Sequence, residues 1–533
     1  MKKLLTKAKS TFDTSTSHHS SPNPPPESCT HRHSTIQPPS LSDLYRYRYT
    51  HGVNLGSVFV LEKWLTPSMF TSPTASSGGS ELDAVLSSVS SIGLQATKTK
   101  WESHWRNAVT EQDFEWLKVA RCNGLRVPIG FFTLGPEWCV NTEFEGVRSV
   151  YEGSWREVKG LIERAREWGV GVLIDFHAVY GGANEDAHSG TSKGRAELWG
   201  NKGNLERSRK ALVCVARELR GCENLIGIQV VNEAKWGARG LWEWYERVIE
   251  EIGDVDEEIP LYISDGWELG KALDWAGKRK GKGNPVVIDT HRYYTFSERD
   301  RSQSPHEIIA RIESEMGELD GKMGGVVGRG CAQLVVGEWS CVLDGRTWSR
   351  VKLEDREGLV RDFGLAQSKK WQQRAGGSYF WTYKMDWMDG GEWGFVKQTK
   401  KGNIVPPSFL ALPVDEVRSR AQAAQVKRDD LAGSAKQSHE EYWNRTCPGK
   451  KFEHQLYNEG WDVGFSDALT FFGMRADGAL RERVAGEGCD KIGCLELWVK
   501  KRFMESGKRG EFVWEWEQGL RSGVAAFYQC VSV

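Results

Sequence analysis

Glu233, in the stretch IGIQVVNEA, and Glu338, in AQLVVGEWS, each follow a short apolar run of strand character. Two carboxyl groups brought to one place can cleave a glycosidic bond with retention. One protonates the leaving oxygen while the other attacks the anomeric carbon, and the first then takes a proton from water. Glu338 is the expected nucleophile, because Arg126 could keep its carboxylate ionised and Tyr293 could add a hydrogen bond. Glu233 is the expected acid/base. The charge of Glu338 should raise its pKa, and esterification of Glu338 should lower it again.

Other residues near predicted strand ends could complete such a site. Asn232 would point at the 2-hydroxyl of the bound sugar, a contact that strengthens as oxocarbenium character develops. His177 and His291 would orient the sugar and the acid/base, and Trp381 would form the floor under the reacting ring. Glu62, next but one to Trp64, could grip two hydroxyls of a terminal sugar, and Asn184 in HAVYGGANEDAHSG could approach the same ring. Structural readings stay open beside these: a histidine that never touches substrate, Glu62 capping a helix near Thr66, and Trp381 packed within a barrel. Asp175, His177, Asp186 and His188 are close enough in sequence for a metal to be conceivable, but hydrolysis by two carboxylates needs none. No cofactor is expected, since neither GxGxxG nor GxxxxGK[ST] occurs.

Positioning these groups requires strands that end at one mouth. Apolar runs at Gly52–Ser57, Gly124–Ile129, Gly171–Phe176, Leu225–Val231, Pro260–Ser264, Val286–His291, Gln333–Gly337 and Ser378–Tyr383 alternate with helical segments such as WREVKGLIERAREWG. Their order predicts an α/β fold, a (β/α)8 TIM barrel over residues 45–410 whose C-terminal strand ends converge. Residues 1–44, rich in Ser, Thr, Pro and His, read as a disordered tail, and 411–439 as a linker or charged helix. The stretches FEHQLYNEGWDVGFSDALTFFG, CLELWVKKRF and FVWEWEQGLRSGVAAFYQ carry apolar positions at helical spacing, so 440–533 should be a helical module docked on the barrel.

The 533 residues carry a formal charge of -1 without a long basic run, which removes the driving force for nucleic-acid binding. Many of the 24 Trp lie beside polar residues and could stack on sugar rings, while others must pack the core. No stretch has the apolar core of an export signal or the length of an integral membrane segment. With 11 Cys in no tight ligand spacing, the expectation is a cytoplasmic or otherwise intracellular protein with reduced thiols.

The stretches HGVNLGSVFVLEKWLTPSMF, TEQDFEWLKVARCNGLRVPIGFF, GVGVLIDFHAVYGGANEDAHSG, IGIQVVNEA, HRYYTF, VVGEWS and FWTYK resemble glycoside hydrolase family 5, and within it the fungal exo-β-1,3-glucanases. The resemblance spans about residues 50 to 407. It implies retention, with Glu233 as acid/base and Glu338 as nucleophile. It also implies Arg126, His177, Asn232, His291, Tyr293 and Trp381 as site residues and Glu62 as a contact to the terminal sugar. Two loops depart from the family pattern, AVYGGANEDAHSG after His177 and SCVLDGRTWSR after Glu338, so the substrate could be β-glucan, a small β-glucoside or a glycolipid such as glucosylceramide or steryl glucoside. A noncatalytic carbohydrate-binding or scaffold protein is the rival reading, which two intact carboxyls argue against.

Overall fold

Eight strands, short apolar runs buried along nearly all their length, close into a barrel in the computed structural model. The model describes residues 36–71, 79–279, 283–480 and 487–533. The strands are β1 Thr50–Asn54, β2 Gly124–Gly130, β3 Gly171–Ala178, β4 Leu225–Gln229, β5 Leu261–Ser264, β6 Val286–Tyr294, β7 Gln333–Leu343 and β8 Gly377–Phe380. Each pairs in parallel with the next, and β8 pairs with β1. Burial on both faces explains why these strands read as continuous hydrophobic runs rather than alternating ones.

β6 and β7 run past the expected ends at His291 and Gly337. Their pairing shifts between Thr290↔Val336 and His291↔Glu338, which leaves Gly337 as the extra residue of a bulge. A Cβ at Gly337 would lie 2.0 Å from Asp289 Oδ1, so only glycine lets the bulge form against that carboxylate.

The tail and module boundaries differ from the sequence expectation. Residues 1–35 of the expected tail lie outside the described residues. Within 36–44, a helix begins at Leu41 and runs to Tyr47, started by a Ser40/Asp43 capping box. Its Leu44, Tyr45 and Tyr47 are buried against the N-terminal end of the barrel, which is why this segment is ordered despite its polar context. The division at 440 falls inside one continuous helix, Val414–Thr446. Its buried positions are Val417, Ala424, Ala432 and His439, a stripe too small and sparse to stand out from the charged residues around it.

Three further helices, His454–Gly473, Leu495–Ser506 and Val513–Cys530, complete the C-terminal module. The first and last cross at backbone contact: a Cβ on Gly464 would lie 2.0 Å from the Leu520 carbonyl oxygen, and one on Gly519 would lie 2.0 Å from that of Tyr457. Trp461, Phe465, Phe471, Trp498 and Trp516 join Leu173, Ile226, Tyr262, Val287, Val335 and Tyr379 of the strands in one apolar cluster. The module therefore closes the barrel floor, opposite the mouth. Polar ties reinforce the seal: the fully buried Arg48 donates to the carbonyls of Asn123 (2.7 Å) and Gly169 (3.0 Å) and pairs with Asp490 (3.3 Å). Glu517 accepts the amides of Gly325, Val326 and Val327, each at 2.9 Å, in the segment just before β7, and Arg521 links Glu517 to Glu496.

Candidate active site

Glu233 and Glu338 meet at the C-terminal mouth of the barrel. One oxygen of each carboxylate and a ring nitrogen of His291 all lie within 4.8 Å of one another. Glu338 sits inside β7, brought level with His291 by the bulge at Gly337. Glu233 lies beyond β4 with φ 40°, a left-handed conformation that is costly for a residue with a side chain and that recurs where geometry matters to function.

Arg126, fully buried on β2, organises the nucleus of the site. Its Nη1 donates to Glu338 Oε1 (2.9 Å) and Asn54 Oδ1 (2.8 Å), its Nη2 to Asn232 Oδ1 (2.7 Å), and its Nε to Gln229 Oε1 (3.0 Å). Asp175 lies 3.1 Å and Asp289 3.8 Å from the same guanidinium. Burial works against the Arg126 charge, but these carboxylates outweigh it and hold the group firmly protonated. Tyr293 donates to Glu338 Oε2 at 2.7 Å; burial and the Glu338 charge raise its hydroxyl pKa well above the ordinary phenol range, so it stays a donor.

His177 is bound to Asp175 through Nδ1 (2.6 Å) and approaches Asn232 through Nε2 (3.4 Å), with its ring stacked 6.0 Å from Trp381. His291 Nδ1 lies 2.7 Å from Glu233 Oε1 and 3.4 Å from Glu338 Oε2, while its Nε2 is 3.3 Å from Asp289 Oδ2. Burial pushes this ring's pKa down, yet Glu338, Asp289 and Glu233 carry it well above the ordinary histidine range. Glu62, buried in the loop after β1, accepts the Trp64 indole N–H at 2.9 Å; burial raises its carboxyl pKa.

Two expectations require correction. Asn184 does not face the cleft. Its Nδ2 donates to the Glu233 carbonyl oxygen and its Oδ1 accepts the Asp186 amide, both at 3.0 Å, so its amide is used in holding main chain. The pKa of Glu233 is not raised in this state. Burial pushes it up, but hydrogen bonds from His188 and His291, and the charges of those rings, hold it well below the ordinary carboxylate range. Glu338 fails to dominate because Arg126 and Tyr293 already answer its charge.

Glu62, His177, Asn232, Glu233, His291, Tyr293, Glu338 and Trp381 line a cleft of about 890 Å³. Arg126 lies behind this wall. Sequence reasoning missed Asn54, Gln229 and Asp289, polar residues within strand runs that read as interior. It also missed Trp267, Phe296 and Trp393, which come from loops after β5, β6 and β8 and give the cleft an aromatic rim. His188, considered from sequence only as a metal ligand, is 3.3 Å from Glu233 Oε2. Glu233, His291 and Glu338 are spaced so that they could bracket a cation, as are His439, His454 and Glu515 in the C-terminal module. In the second group both rings lie 2.9 Å from the same buried Glu515 oxygen, a spacing that hydrogen bonds account for.

A closed parallel barrel with two apposed carboxylates at its mouth is the setting in which the family matches fall. The family model for cellulase (glycosyl hydrolase family 5) matches residues 85–371. The chain belongs to glycosyl hydrolase family 5. A second family model, for the glucan 1,3-beta-glucosidase 3 C-terminal domain, matches residues 424–531, the helices that close the barrel floor. Glucan 1,3-beta-glucosidase 3 of Schizosaccharomyces pombe is 33% identical over 90% of this chain and 95% of that protein. An uncharacterized glycosyl hydrolase of Saccharomyces cerevisiae is 32% identical over 91% of this chain and 92% of its own length. The rutinosidase of Aspergillus niger shares the fold, with TM-score 0.53 and 17% identity over 67% of this chain and 98% of that one. This family 5 member is thus a glycosyl hydrolase whose barrel and appended module both have counterparts in fungal relatives.

Proposed function

We propose that this enzyme is a retaining β-glucosidase that removes terminal β-D-glucosyl units from β-1,3-glucan or a small β-glucoside. Glu338 is the nucleophile and Glu233 the acid/base. The observation that carries this reading is the approach of the two carboxylates, with an oxygen of each and His291 within 4.8 Å of one another. Retention needs carboxyls about 5 to 5.5 Å apart, whereas inversion leaves room for a water at about 6.5 to 9.5 Å.

The surroundings suit those roles. Arg126 and Tyr293 hold Glu338 as an oriented carboxylate, and Asn232, fixed by Arg126, presents its amide toward the sugar. Trp381 offers a flat face beneath the ring, and Glu62 can accept hydroxyls at its far end. The β-1,3 preference is supported by the similarity to the Schizosaccharomyces pombe glucan 1,3-beta-glucosidase 3. An intracellular, reducing location is supported by the ten described cysteines, all of which are free.

Proton NMR of an aryl β-glucoside during hydrolysis tests the reading. The β-anomer of glucose should appear first and mutarotate later. Glu338→Gln should lower kcat on the order of a thousandfold or more while leaving the fold intact. Initial release of the α-anomer, or full activity in that variant, would overturn the assignment.

A further inference from the structure

We infer that His188 stores the proton that Glu233 delivers to the leaving group, passing it from Nε2 to Glu233 Oε2 once a glycosidic oxygen occupies the cleft. This rests on Glu233 being the acid/base.

The two oxygens of Glu233 have different neighbours. Oε1 is bound by His291, whose ring also bridges Glu338 and Asp289 and is committed to holding these carboxylates together. Oε2 faces His188 Nε2 at 3.3 Å. His188 sits in the short turn Ala187–Ser189 of the loop after β3 and lines the same cleft. Asp186 of its own loop lies 3.8 Å from Nε2, and Glu62, from the loop after β1, acts on it through its charge; the His177 ring of β3 packs edge-on at 5.1 Å. Burial pushes the His188 pKa down, but Asp186, Glu233 and Glu62 carry it well above the ordinary histidine range. With Glu233 held low and His188 held high, the proton shared across the 3.3 Å contact rests on the His188 side, at Nε2, since Nδ1 is buried without a partner.

The step balances without a co-reactant other than water. The Nε2–H bond breaks as an O–H bond forms at Oε2, giving neutral imidazole and neutral carboxyl. Glu233 then protonates the departing oxygen as Glu338 bonds to the anomeric carbon. When water cleaves that ester, Glu233 takes a proton from the water and returns it to His188.

The test is kcat/KM against pH for His188→Asn, with His188→Gln as a second variant, on an alkyl β-glucoside and on 2,4-dinitrophenyl β-glucoside, whose leaving group needs no proton. With the alkyl substrate the high-pH limb should move down by about one unit or more and activity near neutrality should fall on the order of tenfold. Cleavage of the dinitrophenyl substrate should stay within about twofold. An unmoved high-pH limb, or equal losses on both substrates, would overturn the proposal. A wild-type enzyme that cleaves neither substrate would instead remove the acid/base reading on which it rests.

Discussion

Asn184 donates a hydrogen bond to the main-chain carbonyl of Glu233 at 3.0 Å, and this bond braces a residue whose φ is 40°. The strain at Glu233 persists because its neighbours hold it, so the carboxyl starts in position rather than finding it by search. Asn184→Ala should therefore lower kcat about 10- to 100-fold with little change in KM, since a displaced proton donor slows chemistry more than binding. Steady-state kinetics on an aryl β-glucoside measure the split. A rise in KM alone would place Asn184 on the substrate instead.

Removing the proposed acid/base should leave a loss that depends on the leaving group and is rescued by an anion. Glu233→Ala should cost about 10²- to 10⁴-fold on substrates with poor leaving groups and much less on activated ones. Added azide should restore turnover by attacking the accumulated glycosyl-enzyme, and the product, identified by NMR, should be β-glucosyl azide.

Arg126 has a structural role as well as an electrostatic one. Arg126→Met would leave Glu338, Asp175 and Asp289 without their shared counter-charge in a buried site. The expected loss is about 3–5 kcal/mol, read from urea unfolding. Stability equal to that of the parent would mean that the site tolerates the loss of this counter-charge.

His51, buried on β1, is held neutral by burial, which lowers its pKa to about 4. The unfolded chain, with a value near 6.5, binds this proton first as pH falls. The contribution of neutral His51 is thus complete above about pH 6.5 and is lost progressively toward pH 4, a swing of about 3 kcal/mol. His51→Phe should flatten that part of the stability profile, as measured by denaturant unfolding at stepped pH.

The helix crossing in the C-terminal module makes a steric prediction. Gly464→Ala would force a methyl to within 2.0 Å of the Leu520 carbonyl oxygen. Separating the helices should cost on the order of 1–3 kcal/mol and appear as a lower Tm.

The barrel was legible because its strands are short, apolar and bounded by polar turns, and the residues after them carry chemistry by type. Glu233 is found that way, while Arg126, Tyr293 and Glu338 lie within β2, β6 and β7 and stand out by residue type and by the family resemblance. Asp289 and Gln229 have neither signal, because a polar residue inside an apolar run gives no sign of which neighbour it serves. Asn184 lies in the expected loop but serves the Glu233 carbonyl rather than the sugar ring, a partner that sequence spacing does not reveal. The same limit hides His188, whose 3.3 Å approach to Glu233 joins the loop after β3 to the segment beyond β4. The strands continue beyond His291 and Gly337 because the bulge makes polar residues part of the pairing. The helix Val414–Thr446 reads as two pieces because its four buried positions, Val417, Ala424, Ala432 and His439, are small or polar and far apart.

The carboxylate of Glu517 receives three amides of the segment leading into β7. A stop codon placed shortly before residue 513 would spare every side chain of the cleft and still delete that anchor, together with the helix bearing it. Inactivating alleles of the gene should therefore accumulate at its 3′ end as readily as among the codons for the catalytic mouth.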